Sequence, residues 1–86
     1  MCKLKQDISI GENLSKLRNN KHYTQEQMAT EMQLYGCMTS RDIYAKMETG
    51  TYNIRISELL VLKEIFKCEF SDFFKGLPKP EKFTEN

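Results

Sequence analysis

Helix starts recur along this chain at intervals that suit a small helical bundle and little else. Thr24-Gln25-Glu26-Gln27 has the capping-box pattern. In that pattern a hydroxyl and a glutamine side chain each satisfy a free N–H at a helix start. Tyr23 before the cap and Met28 after it have the spacing of a hydrophobic staple. Met28, Ala29 and Met32 then fall on one helical face. Upstream, Ser9-Ile10-Gly11-Glu12 repeats the capping-box pattern, and Ile10, Leu14 and Leu17 form a stripe behind it. Asn19, Asn20 and His22 end this first helix by about residue 21. Downstream, Ser40 or Thr39 caps a third helix whose Tyr44 and Met47 face inward and which Gly50 stops. Ser57 is placed to cap a fourth. Its Leu59, Leu60, Val61, Leu62, Ile65 and Phe66 are apolar almost all round, which predicts a central position. Ser71 opens a short fifth helix that ends at Gly76.

The expected fold class is therefore all-α, a compact bundle of five short helices. Thr51 to Ile56 alternates weakly, but with no partner strand it reads as a loop. The expected organisation is an N-terminal arm over 1–8, a domain over 9–76 and a tail over 77–86, where Pro78 and Pro80 halt regular structure. Eighty-six residues suffice for one small domain. No apolar run reaches membrane-spanning length, and the start MCKLKQDISIG lacks the apolar core of a signal peptide. These features predict a cytoplasmic protein.

The titratable groups argue against an enzyme. There is one histidine, no glycine-rich phosphate loop and no Cys/His pair at metal-ligand spacing. Cys2, Cys37 and Cys68 lie far apart, so free thiols are expected, and nothing near Cys37 marks it as a redox sensor. No metal, cofactor, small-molecule ligand or membrane partner is indicated. The net charge is only +1, but residues 1–22 carry five basic side chains against two acidic ones.

Four fragments carry a resemblance: IGENLSKLR, TQEQMA, YAKMETG and ISELLVLKEIF followed by FSDFF. In this order and rough spacing, over about residues 9–76, the chain resembles the Cro- and lambda-repressor-like helix-turn-helix domain, also called the xenobiotic-response-element type. The resemblance implies a DNA-binding domain whose second and third helices form the helix-turn-helix, with the third, about 40–48, in the major groove. It also implies groove-facing roles for Ser40, Arg41, Asp42, Ala45 and Lys46. Arg41 can donate two bonds to guanine or clamp a phosphate. Asp42 can accept from cytosine and Lys46 can reach guanine or backbone. Alternatively, these two are four apart and pair with each other on a solvated face. Ile43, beside the core stripe, either touches a thymine methyl or packs against the linker before it. Gln25, at a helix N-terminus, matches the family's phosphate contact. Thr24, Asn53 and Arg55 are further phosphate candidates. Arg18 and Glu48 match a family pair that locks the first helix to the third through a bidentate ion pair.

The chain departs from the family pattern between the second and third helices. Met32 to Glu48 is about five residues longer than usual, and Gln33 replaces the usual glycine. Within "QLYGCMTS", the expectation is a longer second helix through Leu34 or Tyr35, a left-handed stop at Gly36, a connector over 37–39 and a cap at Ser40. Double-stranded DNA is the expected partner, bound by a homodimer that engages two half-sites. Phe70, Phe73, Phe74 and Leu77, with Phe83 in the tail, are more apolar residues than a small core needs, and some are available for a dimer face. The alternative is a protein-binding module, such as an antitoxin or other regulator's partner, that keeps the fold with weak DNA affinity. The near-neutral charge and Asp42 favour it.

Overall fold

A computed structural model describes residues 8–77, so the expected N-terminal arm and tail lie almost wholly outside the described residues. Five helices follow one another with no strand among the described residues: α1 (Gly11–Asn20), α2 (Gln25–Leu34), α3 (Arg41–Thr49), α4 (Ile56–Phe66) and α5 (Phe70–Phe73). Helix α3 packs against both α1 and α2, α4 packs against α2, and α5 packs against α1.

The helices meet over one apolar core. Leu14, Met28, Met32, Tyr44, Met47, Ile54, Leu62 and Phe73 are fully buried. The stripes expected from periodicity are thus the faces that pack. Leu17 and Tyr23 lie half-buried against the core. Ile54 shows why 51–55 follows a fixed course despite being a loop: its side chain enters the core from outside any helix.

The caps divide into those the sequence located and those it did not. The Thr24 box forms in full: Thr24 Oγ1 accepts from the Gln27 N–H at 3.0 Å, and Gln27 Oε1 accepts from the Thr24 N–H at 2.7 Å. Ser40 caps α3, accepting from the Ile43 N–H at 3.1 Å. Gly50 ends α3 at a φ of 82°. The box expected at Ser9 does not form. Ile10 is turned into the core and starts the helix itself, so the Ser9 hydroxyl bonds the Gly11 N–H at 2.9 Å instead. Helix α4 begins before the expected Ser57. Glu58 reaches back to the Arg55 N–H at 2.8 Å and is held there by the Tyr52 hydroxyl at 2.8 Å, so Arg55 becomes the cap residue. Helix α4 is also not apolar toward the core on every side. Leu59, Leu62, Ile65 and Phe66 are buried, while Ile56 and Leu60 are about half exposed.

The long connection resolves as expected. Helix α2 runs to Leu34, Tyr35 caps it, and Gly36 turns left-handed at a φ of 93°. The Cys37 N–H then bonds back to the Met32 carbonyl at 3.0 Å, closing a Schellman-type turn. Gln33 donates its side-chain amide to the Thr39 carbonyl at 2.7 Å. That bond spans the connector and returns the chain to Ser40. Thr39 is itself 1% exposed, and its hydroxyl has no hydrogen-bond partner.

The start of α1 lies against the end of α3. A Cβ on Gly11 would fall on the backbone carbonyl of Glu48, well inside contact distance. Neither backbone can yield without separating the two helices. A glycine-to-alanine change in a helix ordinarily gains up to about 1 kcal/mol. Here Gly11→Ala is expected to cost about 2 kcal/mol through overpacking. Chemical denaturation checks the sign, and a stabilised variant would contradict this packing.

Candidate nucleic-acid interface

One carboxylate joins the first three helices. Arg18 on α1 donates from Nε to Glu48 Oε2 at 2.7 Å and from Nη2 to Glu48 Oε1 at 3.2 Å. Gln25, the first residue of α2, donates its side-chain amide to Glu48 Oε1 at 3.0 Å. Arg18 Nη1 also donates to the Tyr23 carbonyl at 3.0 Å, which fixes the turn leading into α2. The Glu48 side chain is only 6% exposed and that of Arg18 15%. Removing a carboxylate from water to this degree is tolerated when both oxygens are engaged by donors.

The electrostatics follow from that burial. Desolvation pushes Glu48 toward its neutral form, but hydrogen bonding from Arg18, with further help from Tyr44 and Gln25, outweighs it and holds the carboxyl below its usual pKa. The Arg18 guanidinium is held more firmly protonated, chiefly by Glu48. Tyr44 is buried beside the pair, and its hydroxyl pKa is pushed up by burial first and by the proximity of the Glu48 carboxylate second. Its oxygen is close enough to feel both charges yet makes no hydrogen bond that meets ordinary geometry.

Of the residues singled out from sequence, this anchored corner brings together Arg18, Thr24, Gln25 and Arg41. Arg18, Asn19, His22, Thr24, Gln25 and Arg41 line one open depression at the N-terminus of α2. Arg41 in the first turn of α3 is exposed, as are Ser40, Asp42 and Lys46, while Ala45 is half-buried. No ion pair links Asp42 to Lys46; the ion pairs among the described residues are Arg18–Glu48 and Asp72–Lys75. Both heads therefore stay in water rather than neutralising each other. The first amide hydrogen of Gln25 is committed to Glu48, and the second remains to be donated outward. The exposed first turn of α2 adds backbone N–H groups beside it.

The structure does not bring every expected contact to this corner. Asn53 and Arg55 are exposed on the loop after α3, but Arg55 lines a separate groove with Tyr35, Met38 and Glu58. Ile43 is half-buried on the core and lines that same groove, so it packs toward the lengthened connector. Phe73 is wholly buried and Leu77 packs on the core, whereas Phe70 and Phe74 are exposed by 41% and 47%. The Cys37 thiol pKa is raised by burial and then by the nearby Glu58 charge, the opposite of a reactive thiolate.

Sequence reasoning missed three supports. His22 adopts a φ of 61°, turning the chain from α1 into α2 so that Arg18 can bond the Tyr23 carbonyl. The signal was its type and its place at the expected end of α1, since histidine tolerates left-handed backbone better than most residues. Asn13 donates to the Phe73 and Lys75 carbonyls at 2.8 and 3.0 Å, pinning α5 to α1. Tyr44 was read as core, and nothing in its spacing revealed that its hydroxyl would sit by the ion pair. No protein-family model, curated protein or solved structure matches this chain.

The linked carboxylate predicts both stability and its pH dependence. Glu48→Ala leaves Arg18 and Gln25 without their acceptor. It should cost about 2–3 kcal/mol and lower Tm by roughly 10 °C or more. Because the folded pKa of Glu48 is depressed, its contribution is present above the ordinary glutamate range, about pH 4.3, and is lost as pH falls through the lower folded value. The Tm difference between the native chain and Glu48→Gln should therefore shrink on acidification. Thermal melts from pH 7 to pH 3 test this, and a constant difference would argue against an ionised Glu48 in the fold.

Proposed function

We propose that this chain is a sequence-specific, DNA-binding transcriptional regulator of repressor type that acts as a homodimer. In this reading α2 and α3 are the helix-turn-helix and α3 is the recognition helix. The observation that carries it is the anchored corner. The first turns of α2 and α3 present Thr24, Gln25 and Arg41 around one open depression, while Arg18 and Glu48 fix both helices from behind.

The division of roles follows from chemistry. Backbone N–H groups and Gln25 at the start of α2 suit a phosphate oxygen. Thr24 supports that contact, with Asn53 and Arg55 engaging backbone further along. Ser40, Asp42, Ala45 and Lys46 project toward base edges, the usual task of residues near a recognition-helix N-terminus. Arg41 shares its depression with Thr24 and Gln25, and this favours a phosphate clamp for it over guanine readout. Phe70, Phe74, Leu60 and Ile56 supply exposed apolar area for a dimer face.

A second reading is a protein-binding module, such as an antitoxin-type partner. It draws on the formal net charge of +1 and on the exposed, unpaired Asp42 within the reading helix. One titration separates the two. Fluorescence anisotropy with a labelled duplex should show affinity falling steeply as salt rises, through counterion release. Arg41→Gln should weaken binding across sequences and lessen the salt slope by roughly 1, as expected for a phosphate contact. An effect confined to one base pair would return Arg41 to base readout. Absence of binding even at low salt would leave the protein-binding reading.

A further inference from the structure

We propose that Met38, in the turn between α2 and α3, reads a thymine by packing against its C5-methyl group. The assignment rests on the DNA-binding reading and adds a base contact to it.

Met38 is 94% exposed, more than any other large apolar side chain among the described residues. Its neighbours explain why. Cys37 packs on the core and Thr39 is 1% exposed, so the residues on both sides of Met38 are turned inward. The backbone there is tied as well. Gly36 turns left-handed, the Cys37 N–H bonds the Met32 carbonyl, and the Thr39 carbonyl accepts from Gln33. Met38 is therefore held out in water by the fold. Its unbranched thioether can still adapt its last bonds to a partner's surface.

Two relations put Met38 beside the partner that α3 would engage. In sequence it lies two residues before Ser40, the N-cap of α3, and residues at the start of a recognition helix are those that reach base edges. In space it lines one groove with Ile43 and Arg55. The proposed function gives Ser40 a base edge and Arg55 the DNA backbone, so Met38 adjoins a contact of each kind. Chemistry then selects the base. A methionine side chain has no donor and only a weak acceptor, so it cannot match the hydrogen-bond pattern of a base edge. The apolar feature of the major groove is the thymine methyl. Ile43, for which the sequence left such a methyl contact open, is half-buried and packs toward the connector instead. Met38 is the exposed apolar side chain beside it. Arg55 and Glu58 bring opposite charges to this groove, and a methyl contact depends on neither.

A duplex selected from a random pool by the native full chain is the probe, with affinity read by fluorescence anisotropy at fixed salt. Replacing a thymine by uracil removes the methyl group and leaves the hydrogen-bonding edge unchanged. At one thymine of a half-site this replacement should weaken native binding about fourfold, the worth of one buried methyl-sized group. Met38→Ser should bind the thymine and uracil duplexes alike, while Met38→Leu should keep the discrimination. Met38 is exposed, so neither change removes core. Uracil tolerated at every thymine, a selected half-site with no preferred thymine, or the same uracil penalty in Met38→Ser as in the native chain would each overturn the assignment and leave DNA binding standing. A native chain that binds no duplex even at low salt would overturn both.

Discussion

The Glu48 carboxylate is the point on which the arrangement of this domain depends. It receives two bonds from Arg18 on α1 and one from Gln25 on α2, while it belongs to α3 itself. Three helices thus meet at one buried charge. An ion pair in this setting adds little net stability over a well-packed apolar contact, because desolvation offsets much of its attraction. Its geometric demand is strict, however: a bidentate guanidinium tolerates little rotation of either helix. The same residue meets α1 a second time, since its backbone carbonyl lies where a Cβ on Gly11 would be. Side chain and backbone together fix where α3 lies against α1.

That fixation bears on the lengthened connection between α2 and α3. A connector with extra residues ordinarily leaves the following helix free to shift. Here α3 is held at its far end by Arg18 and at its near end by Ser40 and the Gln33–Thr39 bond. The added residues become a stiff turn instead of slack. Two consequences follow: the start of α2 and α3 carries the proposed DNA contacts, and the turn itself forms one wall of the groove beside α4.

Much of this was legible in the sequence where local chemistry decides structure. The Thr24 box, the Gly36 stop and the buried stripe through Met28, Met32, Tyr44 and Met47 follow from residue type and spacing alone, whereas spacing left the α3 cap open between Thr39 and Ser40. The Arg18–Glu48 pair, thirty positions apart, was reached only through a family resemblance, since spacing does not encode a long-range contact. The misplaced starts have a common cause. Ser9 and Ser57 are sound caps by type, but core burial of Ile10 and the Tyr52–Glu58–Arg55 cluster moved the helix boundaries elsewhere. Leu60 looked internal because composition does not say which face of an apolar helix is left outside. The commitment of Gln25 to Glu48 was hidden for the same reason as the ion pair: its partner is distant in sequence.

In the proposed function α3 is a reading head presented twice by a symmetric dimer. Selection of bound duplexes from a random pool tests that claim most directly. It should enrich a palindrome whose half-sites are separated by about one helical turn, 10–10.5 bp, or a multiple of it. A pool that shows no enriched sequence after repeated selection at low salt would contradict it.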